Sequence, residues 1–225
     1  MLHTYQEFLT KIKEVGVLSF YAQFLNGFPK LQDETMDSQW HTGNPETDPW
    51  IWKDQVTIDH KAAFGNILGG NKGFISEKMY PLFYAANRPE YSLEILYEDG
   101  KISKTVLDVY ELFTDSKVLS TATIRRLLGK SAAGKAQIDS AIVLLQNNFF
   151  ITICGNERKV SKAGKEYGWP ANTYCKVEDW AGDWLADVHN LDKKEAQKQI
   201  LIHCASIGKD LDLKKLAKLL FGKNL

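Results

Sequence analysis

The chain has 225 residues, 44% hydrophobic and 25% charged, and its 28 basic and 28 acidic side chains cancel. That length supports one large or two small domains with enough core to fold without staples, and zero net charge excludes a global attraction to nucleic acid or membrane. No apolar run reaches the length of a membrane span, and Cys154, Cys175 and Cys204 lack metal-ligand spacing, which predicts reduced thiols, a cytoplasmic setting, no metal and no cofactor.

In chain order, MLHTYQEFLTKIKE reads as an amphipathic helix rather than a signal peptide: Tyr5, Phe8, Leu9 and Ile12 share a face, and Gly16 ends it. A polar stretch leads to NPETDPWIWKDQV, where Asp48 caps a helix that opens with Pro49. AAFGNIL and GFIS flank Gly69-Gly70-Asn71-Lys72 as a hairpin. Tyr80 to Tyr97 is expected to be helical with a break near Arg88-Pro89.

From Leu107 the pattern sharpens. Val106, Val109, Tyr110 and Phe113 mark one helix. Ile124, Leu127 and Leu128 mark a shorter one, capped by Ser120 or Thr121 and closed by Gly129. Ile138, Ala141, Ile142, Leu145 and Phe149 mark a third, and Ile151–Ile153 and Thr173–Val177 follow as strands around a basic, glycine-containing loop. Three helices and two strands in that order predict a winged helix, and the helix-then-hairpin order of the first half predicts a second such unit. Asp192 and Glu195 then open a helix carrying Ala196, Ile200, Cys204 and Ile207, stopped by Gly208, and Leu213, Leu216, Ala217 and Leu220 form the last. The expected fold is mainly α with small β-hairpins in a tandem winged-helix architecture. The expected division is 1–105, 106–178 and 179–225, the last part being helices packed on the core.

Charge is segregated along the chain. Between Ser120 and Lys165, Arg125, Arg126, Lys130, Lys135, Arg158, Lys159, Lys162 and Lys165 face only Asp139 and Glu157, an excess suited to phosphate contacts. Residues 31–60 carry seven acids against Lys53, and 193–225 carry eight lysines against three acids. The third helix places Val143 and Leu144 on its outer face, which predicts cover by another part of a monomeric chain and backbone contact through the wing rather than groove reading.

Several motif-like runs carry no chemistry. GKSAAGKA from Gly129 matches a phosphate-binding loop but ends in Ala136, without the hydroxyl that holds magnesium, and no buried strand precedes it. His203 shares an apolar helix face and reads as a core histidine. The cluster that can carry chemistry is Trp40, His41, Glu46, Asp48, Trp50, Trp52, Asp54, Asp59 and His60: rings to stack on an extruded base, and carboxylates to stabilise an oxocarbenium-like sugar or orient water. Trp50 and Trp52 are equally expected as structural anchors, and Asp48 as a helix cap.

NPETDPWIWKDQV, KAAFGNILGGNKGFISEKMYPLF, YSLEILYEDGKIS, FFITICGNE and EYGWPANTY, taken in order, resemble the AlkZ-related proteins, bacterial relatives of the AlkZ-like DNA glycosylases, over about Trp40 to Trp184. The resemblance implies tandem winged helices, DNA as partner, and excision of alkylated bases or interstrand crosslinks through a Gln-x-Gln or Gln-x-Asp motif near the N-terminus. Here that place holds Gln32-Asp33-Glu34, so Gln32 and Glu34 are the catalytic candidates, while Gln197-Lys198-Gln199 lies in a C-terminal helix. The DNA-binding candidates are Arg125, Arg126, Lys135, Arg158, Lys159, Lys162 and Lys165. The competing reading is a non-catalytic winged-helix regulator or interaction module, with a dimer interface and an exposed third helix.

Overall fold

The computed structural model describes residues 1–225 apart from Ala22, residues 130–133, residue 162 and residues 223–224. It opens with helix α1 (Tyr5–Val15), whose N-terminus is closed by a capping box between Thr4 and Glu7. Strand β1 (Val17–Ser19) follows at once, because Gly16 at φ +70° turns the chain out of the helix. Two one-turn 3-10 helices (Gln32–Glu34 and Asp37–Gln39) lead to α2 (Pro49–Ile58) and to the hairpin of β2 (Ala62–Leu68) and β3 (Asn71–Ser76). Helices α3 (Tyr80–Asn87) and α4 (Leu93–Glu98) complete the first half.

The second half repeats the order. Helix α5 (Lys104–Asp115) precedes strand β4 (Leu119–Ser120), then α6 (Thr121–Leu128), α7 (Lys135–Asn147), and a long hairpin of β5 (Ile151–Val160) and β6 (Glu166–Lys176). Each sheet is antiparallel and three-stranded, and in each the third strand in sequence lies between the first and the second. The two halves therefore share strand order and a helix before the hairpin, with two 3-10 turns in the first where α6 stands in the second, and no sequence repeat is readable. The chain is mixed α/β: each expected hairpin is completed to three strands by a segment of two or three residues, too short to leave a period in the sequence.

One apolar core runs through both halves, from Tyr5 and Phe8 on α1 through Trp52 and Phe74 to Val109, Leu145 and Ile151. A second joins β1–β3 and α3 to the C-terminal helices α8 (Val177–Ala181), α9 (Lys193–Ile207) and α10 (Leu213–Phe221). His203 on α9 meets the Val15 carbonyl through Nε2 at 2.8 Å, so it closes the end of α1. Val177, expected to end a strand, instead starts α8. The expected strands were also too short: β5 and β6 run on through polar residues that pair with each other away from either core.

The halves meet reciprocally. The third helix of the second half, α7, lies on the hairpin of the first: Gln146 Oε1 accepts from Asn66 N at 3.1 Å, and Asn147 Oδ1 accepts from Gly70 N at 2.7 Å. Gln146, Asn147 and Asn148 are buried, and Val143 and Leu144 are half-buried. The C-terminal end of α7 is thus covered from within the chain, whereas Val143 and Leu144 line a hollow beside Gly70. On the other side, α2 lies against β5, where Ile58 approaches Gly155.

Candidate nucleic-acid site between the two halves

Between α2 and the outer part of the β5–β6 hairpin is a cavity of about 400 Å³. One wall is built by His41–Gly43 and α2, with Asp48, Trp50, Ile51, Asp54, Gln55 and Ile58; the other by Asn156 and Arg158 of β5 and Trp169 and Pro170 of β6. Trp169 is 72% exposed, an apolar ring left in solvent at the mouth. Its centroid is 6.1 Å from that of His41, edge-on, and His41 in turn lies 4.8 Å from Trp50.

Asp48 shapes this wall. It is 1% exposed, and its carboxylate accepts from three backbone amides: His41 and Trp50 on Oδ1, and Gly43 on Oδ2, at 2.9 to 3.0 Å. Three such bonds engage both oxygens, and about three of the four acceptor sites of a carboxylate, in a helix cap and a loop clasp. They also hold His41 at φ +61°, a left-handed conformation a non-glycine residue keeps only when over-determined.

Asp54 is placed differently. Its Oδ1 forms a buried salt bridge with Lys53 Nζ at 2.5 Å, and the same ammonium sits 4.6 Å from the centre of the Trp50 ring. Oδ2 accepts no hydrogen bond among the described residues, and it is not among the side-chain oxygens sealed from solvent without a partner. Gln55 Oε1, one residue on, is sealed and unpartnered among the described residues. Behind them, burial and the neighbouring Lys53 charge lower the Lys72 ammonium from its usual value.

The other expected residues scatter. Trp52 is fully buried, with Nε1 donating to the Pro45 and Glu46 carbonyls, and it stacks on Phe8: a core anchor. Trp50 is half-buried and lines the cavity. Asp59 accepts from the Tyr5 hydroxyl at 2.9 Å, and burial first, then this bond, raises the Tyr5 phenol above its ordinary range. His60 packs between Trp180 and Trp184. Gln32 lines an adjoining hollow with Tyr21, Asp37, Trp40, His41 and Trp50, whereas Glu34 pairs with Lys11 at 3.0 Å. Of the basic candidates, Arg158 lines the cavity. Arg125 is clasped by both oxygens of Asp139, and Arg126, Lys135 and Lys165 are exposed elsewhere. Lys162 and the Lys159 side chain lie outside the described residues.

The family model for AlkZ-related proteins matches residues 2–221, nearly the whole chain. The chain belongs to the AlkZ-related family. No curated protein and no solved structure matches it. No helix among the described residues is long and apolar enough to cross a membrane.

Sequence reasoning singled out His41, Asp48, Trp50 and Asp54 because aromatics alternate with acids there. It missed Asn156, Trp169 and Pro170. The available signal was a tryptophan between Gly168 and Pro170 in an otherwise polar hairpin, a position with no core to fill.

Proposed function

We propose that this protein is a cytoplasmic, monomeric, tandem winged-helix relative of the DNA glycosylases that grips duplex DNA through the β5–β6 wing and receives an extruded base in the inter-half cavity. The halves 1–105 and 106–178 are the two winged helices, and 179–225 is a helical buttress. The observation that carries the reading is the cavity itself: rings from both halves, Trp50 and Trp169, stand beside the cationic Arg158 at an opening large enough for a nucleobase. Membership of the AlkZ-related family supports DNA as the partner. Burial of the polar end of α7 disfavours a regulator that reads sequence through its third helix. Gln32 serves the strand entering the cavity from the adjoining hollow, and Glu34 steadies that turn through Lys11.

Fluorescence anisotropy on two duplexes tests this, one fully paired and one with a single extrahelical base. Tighter binding of the second is expected, with affinity falling steeply as salt rises because each phosphate contact displaces a counterion. Replacing Arg158, Lys159 and Lys162 with Glu should abolish binding while leaving the thermal melt unchanged. Equal affinity for both duplexes would remove the base-receiving cavity, and unaltered affinity in the triple variant would remove the wing.

A further inference from the structure

We infer that Asp54, rather than Asp48 or the residues at 32–34, is the carboxylate that acts on the sugar of a base held in the cavity. The inference rests on the base-receiving reading above and assigns it a reaction. The cavity wall offers two carboxylates, and their surroundings differ. Asp48 spends both oxygens on three backbone amides. Asp54 spends one: Lys53 grips Oδ1, and Oδ2 has no hydrogen-bond donor among the described residues and is not sealed. Lys53 is itself fixed over the Trp50 ring, so the carboxylate is held rigidly beside the surface on which a base would stack. A carboxylate oxygen with nothing to accept suits a ligand that brings positive charge or donors, which a water attacking a cation-like sugar does.

The step balances without a co-reactant other than water. The water oxygen bonds to C1′ of the deoxyribose as Asp54 Oδ2 takes one of its protons. The C1′–N bond breaks, its electron pair leaves with the base, and the base takes a proton from solvent. The products are a free base and an abasic site bearing a 1′-hydroxyl; Asp54 then returns its proton to solvent.

The test is single-turnover excision from a duplex carrying one alkylated purine, scored as abasic sites, with DNA affinity and denaturant melts recorded for every protein. Wild type should generate abasic sites. Asp54→Asn, which keeps the shape and a carbonyl for Lys53, should lose about 100-fold or more of the rate while retaining DNA affinity. The double variant Lys53→Met, Asp54→Asn removes the orphaned charge and should be equally inactive. A measurement on unaltered protein stands beside these: a duplex with a cationic pyrrolidine in place of the sugar should bind about 100-fold more tightly than one with neutral tetrahydrofuran. Variants that excise at wild-type rates, or equal affinity for the two sugar mimics, overturn the assignment alone. Absence of excision by wild type overturns the assignment too, yet leaves the extrahelical-base preference standing. Failure of that preference is the separate failure of the base-receiving reading.

Discussion

Each half presents to the other a hairpin and the helix that precedes it, and the two contacts are built differently. Where α7 meets the hairpin of the first half, side-chain amides satisfy backbone N–H groups directly, and a hollow of about 390 Å³ lined by Gly70, Val143 and Leu144 opens beside the contact. Where α2 meets the hairpin of the second half, a cavity of about 400 Å³ remains. The difference lies in the hairpins. The first has strands of seven and six residues joined by the two-residue turn Gly69-Gly70, which brings the backbone close enough to be read by Asn147. The second has strands of ten and eleven residues, bulged after Ile153 and again after Glu157, and its outer part reaches past the sheet over α2. The first is also irregular between Gly65 and Leu68, so it is the added length, with a second bulge to bend it, that takes the longer hairpin over the helix. The short hairpin thus goes with a hydrogen-bonded joint, and the long one with a cavity walled from both halves.

The sharpest way to break this comparison is at α2 itself, whose two central tryptophans are assigned opposite duties. Trp52 is fully buried and doubly hydrogen-bonded, so Trp52→Ala should destabilise by about 3–5 kcal/mol through cavity formation. Trp50 is half-buried on the cavity wall, and Trp50→Ala should cost less than half as much while weakening binding of an extrahelical base. Urea melts of both variants decide it, and equal costs would mean that the wall is simply more core.

The hydrogen-bonded joint should be the next most sensitive place. Gln146→Ala or Asn147→Ala leaves a backbone N–H of the first hairpin without its acceptor, which costs about 1–3 kcal/mol each when the group stays desolvated. The corresponding truncation on the open side, Asn156→Ala, should stay within about 0.5 kcal/mol, as for an ordinary surface change. A costly Asn156→Ala would show that the α2 side is braced as firmly as the hydrogen-bonded one.

How much of this the sequence announces depends on range. Local signals resolve well: Asp48, Ser120 and Asp192 each cap the helix they were expected to cap, with oxygen-to-amide distances of 2.9 to 3.2 Å, and Gly69-Gly70 turns the hairpin that it flanks. These features are fixed by two to four neighbouring residues, so their chemistry is written in adjacent positions. The completing strands β1 and β4 are invisible because two or three residues define no period. The cavity was half legible: the acid and aromatic run 40–60 gave one wall. The other wall lies about a hundred residues away and is brought over α2 by the reach of the long hairpin, which leaves no compositional trace. The sequence marks Asp48 as a helix cap, whereas nothing in it shows that Asp54 keeps an oxygen without a donor.

Trp169 tests the open side with the fold left alone. At 72% exposure it contributes little to stability, so Trp169→Ala should melt within about 0.5 kcal/mol of the parent. If its ring stacks on a base at the mouth, DNA with an extrahelical base should bind about 1–3 kcal/mol more weakly. Unchanged affinity would leave the cavity without its outer ring and confine any base contact to the α2 wall.

The smallest effect contrasts the thiols beside the open side with the one in the C-terminal helices. Cys154, on β5 two residues before the cavity wall, is half-buried; a hydrogen bond from Cys175 lowers its thiol from the ordinary value, and Cys175 is raised by the same bond. Cys204, fully buried on α9, is pushed up by desolvation to about 12. A disulfide reagent at neutral pH should therefore modify Cys154 alone in the folded protein, and Cys154→Ala should remove that single reactive thiol, since the thiolate is the nucleophile. Cys204 should show itself only in alkali. Its neutral form is favoured by the fold, so its contribution is intact below the unfolded value of 9.0 and is lost as pH rises from there towards 12, by up to about 1.4 kcal/mol per pH unit. Cys204→Ala should flatten that part of the alkaline stability curve, with the buried tyrosines Tyr5 and Tyr80, both raised chiefly by desolvation, accounting for what slope remains. A native-state reaction of Cys204 at neutral pH would mean that α9 opens readily, and the C-terminal helices would then no longer qualify as the rigid buttress behind the first half.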